Sequence, residues 1–159
     1  KEPNGKLKIL HVTNHPGIEG TLIIKKIIDK LIEEGYPIEF VIEKGISHKT
    51  VLDKITDFDL TIGKMKMGYY ANFQVESMAL GIPCITYVRK DLMTNELEES
   101  SFIFSTLDKL RSDLIFLCKN PEYLSEKRKK TVNDINKIHN NKLIIEKLIN
   151  IYSNLKEES

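Results

Sequence analysis

The chain has 159 residues, of which 41% are hydrophobic and 30% charged, with a formal net charge of +1. That length suits one domain with a sizeable core, and the near-neutral balance excludes a global field for nucleic acid. Cys84 and Cys118 have no metal or redox spacing, no apolar run approaches the roughly 18 residues of a membrane span, and no signal peptide opens the chain, so the expected setting is cytoplasmic.

The lead Lys1–Gly5 is polar, lacks an initiator methionine and carries Pro3 and Gly5, which reads as a linker over residues 1–6 of a longer chain. Leu7 to Val12 is an apolar run expected as a buried strand. Asn14-His15-Pro16-Gly17 follows as a loop, with Thr21 expected to cap a helix. Ile24, Ile27, Ile28, Leu31 and Ile32 share that helix's apolar face, and Gly35 ends it. Ile38 to Ile42 is the second strand, and Ser47 is placed to cap a short helix built on Val51, Leu52 and Ile55. Leu60 to Ile62 is a third strand. Phe73 to Leu80 reads as a helix stopped by Gly81, and Pro83 opens a fourth strand, Cys84 to Val88, in which Cys84 acts as a small hydrophobe. Phe102 to Phe104 is a fifth. Leu107, Leu110, Leu114 and Leu117 line the next helix; from Pro121 the chain is helical, ending on the stripe Ile144, Leu148, Ile151 and Leu155. The run Lys127-Arg128-Lys129-Lys130 reads as a solvated helix face, with an anionic membrane surface as the alternative partner.

Alternation of strand and helix selects an α/β fold: a Rossmann-like, doubly wound parallel sheet of about five strands with helices on both faces. The expected order is 3-2-1-4-5, with ligands at the carboxyl ends of the strands, by the switch between strands one and four. This directs attention to the loops His11–Thr21 and Gly63–Asn72. The domain is expected over 7–120, followed by carboxyl-terminal helices over 121–159 that pack on it.

In the first loop, Gly17 and Gly20 let the backbone approach a ligand, and the helix start at Thr21 offers N–H groups to a phosphate; a simple turn is the alternative. The lysine-serine/threonine end of a P-loop and the GxGxxG fingerprint are both missing. In the second loop, Gly68-Tyr69-Tyr70 leads into a helix carrying Glu76 amid Val75, Met78 and Ala79. Glu76 is either a favourable charge near a helix amino end or an acceptor for ligand hydroxyls. His11, at a strand end, is a candidate donor to a phosphate or sugar hydroxyl or a satisfied near-core residue; His15 is a weaker candidate in the loop. His48 and His139 fall on expected helix surfaces and carry no argument.

The string Glu76-Ser77-Met78-Ala79-Leu80-Gly81-Ile82-Pro83-Cys84-Ile85 resembles the signature of retaining glycosyltransferases of the GT-B fold, group 1 type, in which an acid precedes Ala/Ser-Met-Ala-x-Gly-x-Pro-Val-Ile. Support extends to Gly20-Thr21, Glu34-Gly35, Phe58-Asp59 and the helices ending Ile151-Tyr152. The resemblance implies transfer of a sugar from a nucleotide diphosphate donor to a glycan or glycoconjugate, as in polysaccharide biosynthesis. It implies that Glu76 holds the ribose, that the Gly20-Thr21 helix start faces the diphosphate, and that the acceptor binds an amino-terminal domain. No metal or cofactor is required by that arrangement, and the isolated piece is expected to be inactive alone.

This sequence departs from the family pattern at three places. A second glutamate of the family falls at Gly68, although Gly68-Tyr69-Tyr70 looks like a variant loop of the same group. An arginine and a lysine that clamp the diphosphate fall at Pro16 and Glu19. Either Lys64 or Lys66 substitutes, or donor binding is weak, or the site is degenerate and the domain is a binding module. A phosphoacceptor receiver domain lacks its clustered acids here, and a nucleotide-sugar epimerase is the remaining enzymatic rival.

Overall fold

The computed structural model describes residues 5–157, with side chains through 154, so the expected linker residues Lys1 to Asn4 and the Leu155 side chain lie outside the described residues. Five strands, β1 (Leu7–Val12), β2 (Ile38–Glu43), β3 (Leu60–Ile62), β4 (Cys84–Thr86) and β5 (Ile103–Phe104), form one all-parallel sheet. The helices are α1 (Pro16–Glu19), α2 (Thr21–Glu33), α3 (His48–Ile55), α4 (Asn72–Ala79), α5 (Asn95–Glu98), α6 (Leu110–Lys119), α7 (Pro121–Ile138) and α8 (Asn141–Glu157). A 3₁₀ turn spans Lys90–Leu92.

The strand order is β2-β1-β3-β4-β5, which corrects the expected 3-2-1-4-5. After β2 the chain crosses back over β1 and lays β3 along its free edge, with Ile9 opposite Leu60. The reversal of winding therefore falls between β1 and β3. Their carboxyl ends run into the same two loops that the sequence singles out, so the order changes while the place of those loops beside the switch stays.

Apolar side chains alternate across the strands because successive residues face opposite sides of a sheet. Ile9 packs with Ile24, Ile28, Leu31, Leu110 and Leu114 beneath α2 and α6, whereas its neighbour Leu10 packs with Val51, Ile55, Phe58 and Ile82 beneath α3. A third cluster joins Met78, Cys84, Leu97, Phe102 and Ile135 beneath α4 and α7. Burial pushes the Cys84 thiol up to about 12, so it stays protonated in the core.

Several local expectations need correction. Pro16–Glu19 is a helical turn rather than loop, since Pro at the first position is preset for it. Gly20, at φ 87, closes that turn and caps α2; Thr21 does not act as the cap. β4 stops at Thr86. Ile32 is exposed, and the buried line of α4 is Gln74, Ser77 and Met78, with Ala79 turned outward. The basic run is not a solvated face throughout: Arg128 donates to the Phe58 carbonyl at 2.8 Å, and Lys127 lies over the Tyr123 ring. The two last helices also differ from each other. α7 buries Leu124, Thr131 and Ile135 against the domain, while every described side chain of α8 is exposed, including Leu148, Ile149, Ile151 and Tyr152.

Candidate functional site

The crevice is built from the carboxyl ends of β1, β2 and β3. On one side, His11 leaves β1 almost wholly buried. Its Nδ1–H donates to the Ile62 carbonyl of β3 at 2.7 Å, and its Nε2 accepts from the Thr21 hydroxyl at 2.8 Å. A carbonyl only accepts, which fixes this tautomer. Burial holds the imidazole below its ordinary pKa of 6.5, so the neutral ring persists. His11 thus ties β1, β3 and the first turn of α2 together, and both ring nitrogens are occupied.

Gly20 caps α2 without a side-chain hydrogen bond; it is buried, and a Cβ there would stand 3.5 Å from Lys66 Cγ, 3.7 Å from Met65 Cβ and 3.8 Å from Leu107 Cδ1. Gly17 is exposed and has nothing within 4 Å of where a Cβ would stand. The charges around this opening are paired. Glu19, 5% exposed, turns inward, with Oε1 3.7 Å from Lys64 Nζ and Oε2 without a partner among the described residues. Lys66 Nζ donates to the Gly17 carbonyl at 3.4 Å. Both lysines of the second loop therefore reach back to the first, one to a carboxylate and one to a carbonyl. His15 is exposed; its carbonyl accepts from the Ile18 and Glu19 amides.

The second loop is held by a side chain that sequence reasoning passed over. Gln74, fully buried, accepts from the Ala71 amide at 3.1 Å and donates to the Thr86 hydroxyl at 3.4 Å. It lies so close to β3 that a Cβ on Gly63 would stand 2.4 Å from it. Ser77 continues this buried polar line, bonding Thr61 Oγ1 at 2.7 Å and the Ile82 carbonyl at 2.9 Å. Buried polar groups need partners, and here the partners fix α4 on the sheet.

α4 presents Glu76 towards α3. Its Oε1 accepts from His48 Nε2 at 2.9 Å, with 27% of the Glu76 side chain and 69% of the His48 side chain exposed. His48 opens α3, whose cap Ser47 accepts from the Thr50 amide. Its place just past the carboxyl end of β2, next to β1, was a topological signal available from the sequence.

Gly68 and the tyrosines occupy a different niche. Gly68 has φ 77 and a Cβ there would stand 2.5 Å from Arg89 Cγ, so the backbone conformation and the arginine stem both favour glycine. Tyr69 stacks on Tyr70 at 4.5 Å. Tyr70 is half-buried against Phe102, and its hydroxyl meets His139 Nε2 at 3.1 Å. Burial pushes the Tyr70 phenol above its ordinary range, and desolvation lowers His139. The expected site residues thus fall into three groups: His11, Gly17, Gly20, Thr21 and Lys64 at the first loop, Glu76 between α3 and α4, and Gly68, Tyr69 and Tyr70 towards β4 and the end of α7. Among the described residues no three His, Cys, Asp or Glu side chains converge as a metal site, and no helix is long and apolar enough to cross a membrane.

No family model matches the chain, and no curated protein matches it in sequence. Solved structures do match in fold. A mutant of S. aureus TarM in complex with UDP, fondaparinux and α-GlcNAc-glycerol superimposes with a TM-score of 0.70 at 13% identity, over 93% of this chain and 36% of that one. Anabaena HepE in complex with UDP-glucose gives 0.61 at 10% identity, over 91% and 49%. The catalytic domain of starch synthase IV from Arabidopsis thaliana, bound to ADP and acarbose, gives 0.52 at 10% identity, over 83% and 35%. The chain spans about a third to a half of these proteins, and at such identities the likeness is one of fold: a Rossmann-like domain as found in GT-B glycosyltransferases.

Proposed function

We propose that this chain is the nucleotide-sugar-binding domain of a retaining glycosyltransferase, acting on a glycan or glycoconjugate acceptor held by another domain. The observation that carries the reading is a juxtaposition at one sheet edge. The winding reverses between β1 and β3, and around that reversal stand an α-helix start capped by Gly20 and a partly exposed carboxylate, Glu76. The helix start offers N–H groups and a positive dipole end to a diphosphate. Glu76 accepts from ribose hydroxyls. The solved structures of like fold include complexes with UDP, UDP-glucose and ADP, which agrees with a nucleoside diphosphate as the shared ligand.

Transfer with retention builds negative charge on the departing diphosphate, so the groups facing it carry the chemistry. Lys64 and Lys66 are the side-chain cations that reach this loop, one to Glu19 and one to the Gly17 carbonyl, and Gly20 and Thr21 supply the backbone. The exposed apolar residues of α8 then have a function: they dock on the acceptor-holding domain. Isothermal titration of the full chain with uridine, guanosine and adenosine diphosphates tests the reading. Binding of one of them supports it; silence with all three, together with a full-length protein that hydrolyses no sugar nucleotide, refutes it.

One observation favours a second reading, in which the domain is a binding module with a decayed donor site. Glu19 neutralises Lys64 where a diphosphate would want free positive charge. Under this reading, replacing Glu76 leaves the full-length protein's properties unchanged.

A further inference from the structure

Glu76 does not stand alone, and its partner comes from a different helix. His48 Nε2 lies 2.9 Å from Glu76 Oε1 across the gap between α3 and α4. Neither end of this bridge is free to wander. α3 is seated on the core by Val51 and Ile55, and Phe73 of α4 packs against the same cluster. Ser47 fixes the first turn of α3 by accepting from the Thr50 amide at 3.2 Å, which sets the backbone from which His48 reaches out. α4 is in turn locked by Gln74 and Ser77.

We propose that His48 is a positioning residue for ribose recognition: its N–H donates to one oxygen of the Glu76 carboxylate and so presents the other to the sugar hydroxyls of a bound nucleotide. This rests on the reading of the site as nucleotide-binding and adds a residue to it. A carboxylate offers about four lone-pair sites over its two oxygens, so one donated bond leaves acceptor capacity while removing rotational freedom. An unheld glutamate side chain loses that freedom on binding instead. The His48 side chain is mostly exposed, so the cost of its loss falls on ligand recognition rather than on folding.

The test is titration of the full chain, as wild type, His48→Ala and His48→Gln, with whichever of uridine, guanosine or adenosine diphosphate binds and with its 2′,3′-dideoxy form. The expected result is that His48→Ala weakens binding of the ribonucleotide about fivefold, the size of one hydrogen bond. The 2′,3′-dideoxynucleotide, which has no sugar hydroxyl to offer Glu76, should be nearly unaffected, so the preference for ribose collapses. His48→Gln keeps an N–H donor and restores part of that preference. Equal loss for both nucleotides, or no loss for either, overturns the role of His48 while the nucleotide-binding reading stands. A wild-type chain that binds none of the three overturns both.

Discussion

The two halves of the crevice solve opposite problems. At the first loop, His11 and Glu19 are turned inward, His11 to Ile62 and Thr21 and one oxygen of Glu19 to Lys64, while the exposed Lys66 reaches the Gly17 carbonyl. Between α3 and α4, the Glu76–His48 pair faces solvent with acceptor capacity to spare. The first half is built as a clamp on the fold, and what it offers a ligand is mainly backbone. The second half is built on a clamped helix, and what it offers is a side chain. Rigidity in one place supports recognition in the other.

The sharpest way to break that contrast is Glu76→Ala. Loss of a charge-assisted acceptor amounts to about 1.5–3 kcal/mol, so nucleoside diphosphate affinity should fall roughly 10- to 100-fold with little change in Tm. An unchanged affinity would make the two halves alike and favour the decayed site. Next in size is Gly63→Ala. The new Cβ meets buried Gln74 at 2.4 Å, and overpacking of this kind costs about 1–3 kcal/mol. Thermal unfolding should show the loss, and nucleotide affinity should drop with it because α4 shifts; a stable variant with normal affinity would show that Gln74 does not hold the helix.

Glu19→Gln probes the first half directly. Removing a buried negative charge leaves Lys64 without its counter-charge, and diphosphate affinity should rise several-fold. Titration giving weaker or equal binding would show that the diphosphate does not sense Glu19. The smallest effect concerns His11. Its pKa in the fold is lowered by burial from 6.5, so the unfolded chain binds the proton first as pH falls. The stability contributed by the neutral ring is complete above about 6.5 and is lost as pH drops through the lower, folded value. The stability difference between wild type and His11→Gln should therefore narrow in acid, measured by denaturant titration; a difference that widens would contradict the buried neutral ring.

Much of the local structure was legible in the residues. β1 and β3 follow from short apolar runs between turn signals, the Ser47 cap from its place before Val51 and Ile55, and the stop at Gly35 from a glycine after an apolar stripe. Glu76 stood out because an acid on an otherwise apolar helix invites a question. Gln74 was missed because one of its partners is only the backbone amide of Ala71 and the other, Thr86, lies twelve residues on, and nothing local marks a glutamine as core. His48 was set aside because helix surface is the ordinary fate of such a residue.

What the sequence by itself determined was the alternation of elements, hence the parallel sheet and the two loops that leave its carboxyl end, because hydrophobic period and turn chemistry are short-range properties. Only the tertiary structure decided that β3 lies against β1, that Glu19 turns inward, and that His48 meets Glu76. Those outcomes depend on which chain segments, 28 to 51 residues apart, are brought side by side by burying separate apolar faces on one sheet, and no local pattern encodes such meetings.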